Sequence, residues 1–424
     1  MQKTPAPEAL LSFNAARRIV ERTASGLHPA APETIPLLEC HGRVLARDLP
    51  ADRDLPPFPR SARDGWALRH ADVAEPPASL RVVGEVRAGS QPQITVSTGE
   101  AAEIMTGAAV PDGADAVVMV EHSSVTGGSV EIHRSAAVGE NIVPTGAEGR
   151  RGAILLPKGT RMSPASIAVA ASVGGAELLV YPRPHVAILA TGDELVEVDA
   201  QPGPFQIRNS NSYSLAAQVL HAGAIPHLLP IAADDDPSLR QRIQDALRFD
   251  LLLLAGGVSA GKYDRVEAVL AALGVEFLFT GVRMQPGKPL VFGSLPQGLF
   301  PQGSFSLQTG PPKYFFGLPG NPVSTLVTFE LFVQPVIAAL AGARPTPLLS
   351  PAACLKKDVK VRPGLTRFLP ALLTGTLNHP EVELVPWQGS GDSVAAAHSN
   401  CLLVVPPERD ILAAGEMVSV ILLP

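Results

Sequence analysis

Two stretches decide how this chain is read: HVAILATGDE at 185–194 and DLLLLAGGVSAG at 250–261. Each is a short apolar run that stops at glycine and at acidic or hydroxyl residues. A run of that length, bounded by turn formers, reads as a strand buried on both faces. Helix-like segments at 213–222, 237–247, 265–273 and 323–340 accompany them. Strand and helix therefore alternate from 184 to 343, which predicts a doubly wound α/β domain with a mainly parallel sheet.

Outward from that centre the character changes. On the N-terminal side, Tyr181-Pro182-Arg183-Pro184 reads as a hinge, and 144–183 is mixed. Residues 51–143 carry short β-rich runs, at 80–83, 114–121 and 129–133, separated by Gly/Pro turns. Residues 8–25 read as an amphipathic helix, with Leu11, Ala15, Ile19 and Val20 near helical spacing and Gly26 after its end. Past 344 the chain returns to short strands at 352–361, 381–386, 401–405 and 417–422. The expected units are 1–50 with 144–183, then 51–143, 184–343 and 344–424.

Composition bounds the function. In 424 residues, 46% hydrophobic content gives material for several cores, and 38 Gly with 42 Pro favour many short elements over a helical bundle. A net charge of −6 argues against a nucleic-acid binder. No apolar run is read as reaching the roughly 18–20 residues of a membrane span. The opening MQKTPAPEALLSF lacks the apolar core of a signal peptide. Cys40, Cys354 and Cys401 are far apart and odd in number, which suits a reduced, cytoplasmic setting and neither zinc nor a disulfide framework.

The unusual residues of the α/β stretch fall just after its apolar runs, where a doubly wound sheet binds its ligand. Thr191, Gly192, Asp193 and Glu194 follow the first run. Arg208-Asn209-Ser210-Asn211-Ser212, Asp234-Asp235-Asp236, Gly256 and Gly257 through Ser259 to Gly261, Pro286-Gly287-Lys288-Pro289 and Pro319-Gly320-Asn321-Pro322 come later. Glycines and helix-starting residues offer backbone N–H groups to an anion. Carboxylates such as Asp235, Asp236 and Asp264 offer oxygen to Mg²⁺. Together they suit a phosphate with its metal; taken singly, each loop also reads as a tight turn or a helix cap. Residues 256–262 fit the phosphate loop GxxxxGK, but Tyr263 stands where the magnesium-binding hydroxyl is required.

These blocks resemble the MoeA family of molybdopterin molybdenumtransferases, which includes the C-terminal part of gephyrin. The resemblance rests on Thr191-Gly192-Asp193-Glu194-Leu195, the glycine run 256–261 with Asp264, Pro286-Gly287-Lys288-Pro289, and Leu318 to Ser324. Ser61-Ala62-Arg63-Asp64-Gly65-Trp66-Ala67, and Thr106-Gly107-Ala108 running on to Glu121, agree outside the α/β stretch. It implies a homodimer whose subunits have a mixed dimerisation domain (1–50 and 144–183), a β lid (51–143), a molybdopterin-binding α/β domain and a C-terminal β domain. The cleft would lie between the α/β domain of one subunit and the lid and tail of the other. The implied reaction is Mg²⁺-assisted insertion of molybdate into adenylylated molybdopterin, with release of AMP. A molybdopterin adenylyltransferase and cofactor-accepting enzymes are the implied partners.

Roles follow from chemistry within that resemblance. Gly256, Gly257, Ser259 and Gly261 would cradle phosphate, and Asp264 with Asp235 or Asp236 would hold Mg²⁺. Asp64 would orient the attacking group, Lys288 would meet an oxyanion, and Glu194 would contact ligand or cap a following helix. Thr106, Thr191, Gly192, Asp193, Ser210, Asn211, Pro319, Gly320, Asn321, Pro322, Ser324 and Arg367 complete the expected site.

The chain departs from the family pattern where basic residues are usual, with Gln285, Leu365 and Pro370, and has Ala395 where serine is common. Lost charged hydrogen bonds would weaken binding of a dianion, and Arg367 is the residue placed to compensate. A carrier or scaffold that binds pterin without inserting metal is the alternative reading. An NTPase built on the near-miss loop is the second.

Overall fold

The computed structural model describes residues 10–233, 235–257, 265–295, 313–344 and 346–424. At its centre is a six-stranded sheet in the order Ile225–Leu228, His185–Ala190, Leu251–Ala255, Lys313–Leu318, Val291–Leu295, Glu276–Thr280. The first four strands are mutually parallel and the Val291–Leu295 strand runs against them. Leu251 to Ala255 and Val186 to Ala190 are buried throughout, as a sheet covered on both faces requires. One face packs Phe292, Phe316 and Ile188; the other packs Leu252, Leu254 and Phe315 against the flanking helices.

The helix Phe13–Ser25 begins five residues later than its periodicity predicts. Leu11 and Ser12 are drawn into a parallel pairing with Val282 and Arg283, and Ser12 Oγ caps the helix by accepting from Ala15 N at 3.2 Å. Ala16 and Val20 join the core of the α/β sheet, so this helix packs with that unit rather than with 144–183. Arg17 explains the attachment. Pro335 has no N–H for the carbonyl four residues before it, Leu331, and that carbonyl accepts from Arg17 Nη1.

Leu331 lies in one continuous helix, Pro322–Leu340, interrupted by a π-helical turn at Phe329–Val333. By length and composition this helix is sufficient to cross a membrane, which corrects the sequence reading that no run reaches that length. The run was missed because Thr and Glu residues break its apolar pattern. Most of it is buried against the sheet and the N-terminal helix, which is what a core helix does.

The segment 51–143 forms a six-stranded sheet with Gly65–Leu68 and Ala78–Val86 at its heart. Its two core clusters draw every member from within that segment. The tail closes on itself: Thr366–Thr376 pairs with His379–Leu384 on one side and Cys401–Val405 on the other, making a small barrel. Thr366–Thr376 is absent from the sequence reading because Pro370 demotes it. Val282–Gln285 leaves the α/β domain and adds to this barrel, parallel to Thr366–Arg367.

Candidate functional site

The chain runs from His185–Ala190 outward to Ile225–Leu228, then returns to the other side of the first strand at Leu251–Ala255. The direction of winding therefore reverses between the first and third strands, and the crevice opens at their carboxyl ends. The residues there are Thr191 to Glu194 and Gly256 to Gly257. They touch: a Cβ on Gly256 (φ +98°) would lie 2.8 Å from the Thr191 carbonyl oxygen, and one on Gly257 (φ +65°) 2.4 Å from Val266 Cγ2. Only glycine fits either position, and the backbone is left bare to a ligand. Ser259, Gly261 and Asp264 lie outside the described residues.

Glu194 precedes a short strand, Leu195–Val196, so no helix follows for it to cap. Its carboxylate folds back over Gly192 instead, where a Cβ would meet Oε2 at 2.6 Å. Thr191 is buried and Asp193 exposed beside it.

Asn209, buried, caps the helix Ser210–His221 and moves its start three residues ahead of expectation. Ser210 and Asn211 thereby enter the first turn at the rim. Asn211 Nδ2 donates to the Gly320 carbonyl at 2.6 Å, tying two rim loops together. Asn211 Oδ1 and Ser212 Oγ are buried and have no partner among the described residues.

The Pro319-Gly320-Asn321-Pro322 turn is held from below. Thr325 Oγ1 donates to the Pro319 and Asn321 carbonyls, and Ser324 is buried in the same helical turn. Asn321 Nδ2 donates to Ser390 Oγ at 2.9 Å, and Val323 N to the Ser390 carbonyl at 3.0 Å. The tail of the same chain thus sits on the rim, whereas the resemblance implied the other subunit's tail. Thr325 and Ser390 were missed by the sequence reading; a glycine-flanked serine in the tail was the available signal.

Gln285 is the Cα partner of Arg367 across the junction with the barrel. The chain then turns through Pro286 and Gly287, whose Cβ would strike Thr328 Cγ2 at 2.5 Å, and presents Lys288 to solvent. Arg367 is 8% exposed, and burial lowers its pKa. It donates to the Leu365 carbonyl at 3.3 Å and has no carboxylate within ion-pair distance among the described residues. Pro370 lies buried within the barrel strand opposite Leu402, away from the junction.

The acidic residues divide. Asp235 caps the helix Asp236–Ala246, its Oδ1 accepting from Ser238 N at 2.7 Å, and Asp236 is in the first turn. Among the described residues no three His, Cys, Asp or Glu gather closely enough to hold a metal. Asp235 and Asp236 are carboxylates, the donor type of which Mg²⁺ commonly takes one or two before completing its shell with phosphate and water. Asp64 stands apart in the separate sheet formed by 51–143. Its Oδ1 accepts from Thr106 N at 2.6 Å and Thr106 Oγ1 at 2.9 Å, and these bonds hold its pKa below the usual carboxylate value. No hydrogen bond among the described residues ties either to the rim.

Comparison with known proteins decides the lineage. Residues 11–174 match the family described as "MoeA N-terminal region (domain I and II)", and 352–423 match "MoeA C-terminal region (domain IV)". Residues 187–339 match the "Probable molybdopterin binding domain". A molybdopterin molybdenumtransferase of Staphylococcus aureus is 34% identical over 96% of this chain and 94% of its own. The chain belongs to the MoeA family. Another relative of the same name, from Nostoc, is 42% identical over 73% of this chain and 70% of its own. A crystal structure of the molybdopterin biosynthesis moeA protein from Pyrococcus horikoshii superposes with a TM-score of 0.76 at 28% identity, covering 98% of this chain and 100% of that one. The doubly wound domain and the β tail are therefore the MoeA architecture.

Proposed function

We propose that this chain is a transferase of molybdenum cofactor biosynthesis that inserts molybdate into adenylylated molybdopterin and releases AMP. The reading is supported by the switch-point rim and by Arg367, a buried guanidinium where the α/β domain meets the barrel, with no carboxylate within ion-pair distance among the described residues. A pterin with a phosphoanhydride needs bare backbone for its phosphates and donors and acceptors for its ring. Gly256 and Gly257 supply the first, and the unpartnered Asn211 Oδ1 and Ser212 Oγ are fitted to the second. Arg367 and Lys288 supply positive charge for the oxyanion.

Asp235, Asp236 and Asp264 would hold Mg²⁺ where it neutralises the phosphoanhydride. The rim would fix the ligand's two phosphates so that water bonds to the pterin-side phosphorus as that phosphorus loses its bridging oxygen to departing AMP, the protons of the water passing to solvent. Asn211 and Thr325 keep the loops in register while it does so. Asp64, ionised and aimed by Thr106, orients the incoming nucleophile from the lid. A homodimer is part of this proposal: the lid's self-contained cores, and the lack of a bond from Asp64 to its own rim among the described residues, suit a lid that serves a partner's rim. A cytoplasmic setting, and exchange with an adenylyltransferase and cofactor-accepting enzymes, complete it.

The decisive experiment gives purified protein adenylylated molybdopterin and Mg²⁺, with and without molybdate, and follows AMP. Molybdate-dependent release supports the transferase. Binding without release makes the chain a carrier, the reading that Gln285 in place of a lysine favours.

A further inference from the structure

A cavity of about 790 Å³ lies at the end of the α/β domain away from the rim. It is lined by His221 and Ala222, at the far end of the helix whose first turn carries Ser210 and Asn211, and by Glu330, Gln334, Pro335, Ala338 and Ala339 of the long helix. Twelve residues of helix set it about 18 Å from the rim. Arg17 and Glu21 of the N-terminal helix, Arg161, and the segment 346–349 leading into the tail barrel close its walls.

The charges in this cavity are unevenly paired. Arg17 is paired with Glu21 at 2.7 Å. Glu330 is 7% exposed, accepts hydrogen bonds from Gln218 and Gln334, and is pushed by burial towards its neutral form. Arg161 remains. Its Nη1 and Nη2 donate to the carbonyls of Gly42 at 3.0 Å and Ala222 at 3.4 Å, and no carboxylate lies within ion-pair distance among the described residues. These two carbonyls occupy part of its set of N–H donors and leave its charge in place. Beside it His221 is exposed, and across the cavity stand Ala338, Ala339, Leu348 and Leu349, the last 73% exposed.

We propose that this cavity is a second ligand site, for a small amphiphilic anion. An organic carboxylate pairs its head with Arg161 and lays its apolar body against Ala338, Ala339 and Leu348. The volume is within the usual range for small-molecule pockets, and one charged anchor on an apolar wall is their common construction. A ligand there bridges the N-terminal helix, the long helix and the strap to the tail. The proposal stands independently of the transferase reading, since its test reads binding and not turnover.

Octanoate, octanol and octylamine are titrated calorimetrically into the full-length protein and into Arg161→Gln and Ala339→Phe. Octanoate binds more tightly than octanol or octylamine. Arg161→Gln weakens octanoate by about tenfold or more and leaves octanol unchanged. Ala339→Phe, which fills the cavity, abolishes both, and melting curves establish that the variants are folded. Equal affinity for octanoate and octanol, no binding of octanoate, or octanoate binding untouched by Ala339→Phe overturns the proposal. Ala339→Phe decides the matter if Arg161→Gln does not fold.

Discussion

Gln285 and Arg367 are Cα partners on neighbouring parallel strands, one from the α/β domain and one from the tail barrel. The pairing explains how a chain with a neutral residue at 285 can keep a cation at the same junction. The guanidinium approaches from the tail strand rather than from the α/β turn. It is buried and, among the described residues, hydrogen-bonds only to a carbonyl, which is the setting in which a charged hydrogen bond to an oxyanion is worth most.

Arg367→Gln should therefore raise the molybdate concentration needed for half-maximal AMP release by roughly 10- to 100-fold, the worth of a charged hydrogen bond. Gln285→Lys, at an exposed position, should lower it. Both are read by titrating molybdate at fixed adenylylated molybdopterin. Unchanged half-saturation in Arg367→Gln would remove this residue from the site.

Gly256 tests the rim without touching its charge. Gly256→Ala places a methyl 2.8 Å from the Thr191 carbonyl at a left-handed φ, and should destabilise the protein by about 1–3 kcal/mol. Substrate affinity should fall with it, because the two turns must part. Gly391→Ala, which meets nothing within 4 Å, is the control expected to melt with the wild type. Coincident melting curves for the two variants would show that the turns do not press on each other.

The doubly wound sheet was legible because Val186 to Ala190 and Leu251 to Ala255 are uninterrupted apolar runs that stop at glycines. Rim residues that sit directly after those runs were legible for the same reason. Less visible was what lies underneath. Thr325 and Ser390 act through hydroxyls whose partners are 6 and 69 residues away. Nothing local to either sequence position announces them. Arg17 lies inside the stretch read as an amphipathic helix and is not singled out there, since its partner carbonyl matters through Pro335, more than 300 residues on. Asp235 shows the converse difficulty: a helix cap and a metal ligand are the same residue type at the same place, and the bond to Ser238 shows the cap.

Thr106 sets the state of Asp64. Removing its hydroxyl in Thr106→Val leaves the backbone N–H bond, so the Asp64 pKa should rise part of the way towards the ordinary value of 3.8. Both residues are exposed, so the melting temperature should not move. Carboxyl NMR titration measures the pKa directly. Turnover near neutral pH should fall through lost aim of the carboxylate while Asp64 stays ionised. A variant with full turnover would leave Asp64 without the orienting role.

Glu330 carries a pH dependence of stability whose sign is fixed by its burial. The folded protein holds this carboxyl above the ordinary glutamate value of 4.5, with burial the main cause and the Gln218 and Gln334 bonds opposing it. Between 4.5 and the folded value, the folded state binds a proton that the unfolded state has lost. Its contribution is therefore fully present below 4.5 and declines as pH rises through the folded value. Glu330→Gln keeps the shape and cannot ionise, so it should be more stable than wild type at pH 8, with the difference shrinking towards pH 5. Urea melts of the two proteins at those pH values measure it. A constant difference across the range would mean that Glu330 stays ionised in the fold, held there by its two amide donors.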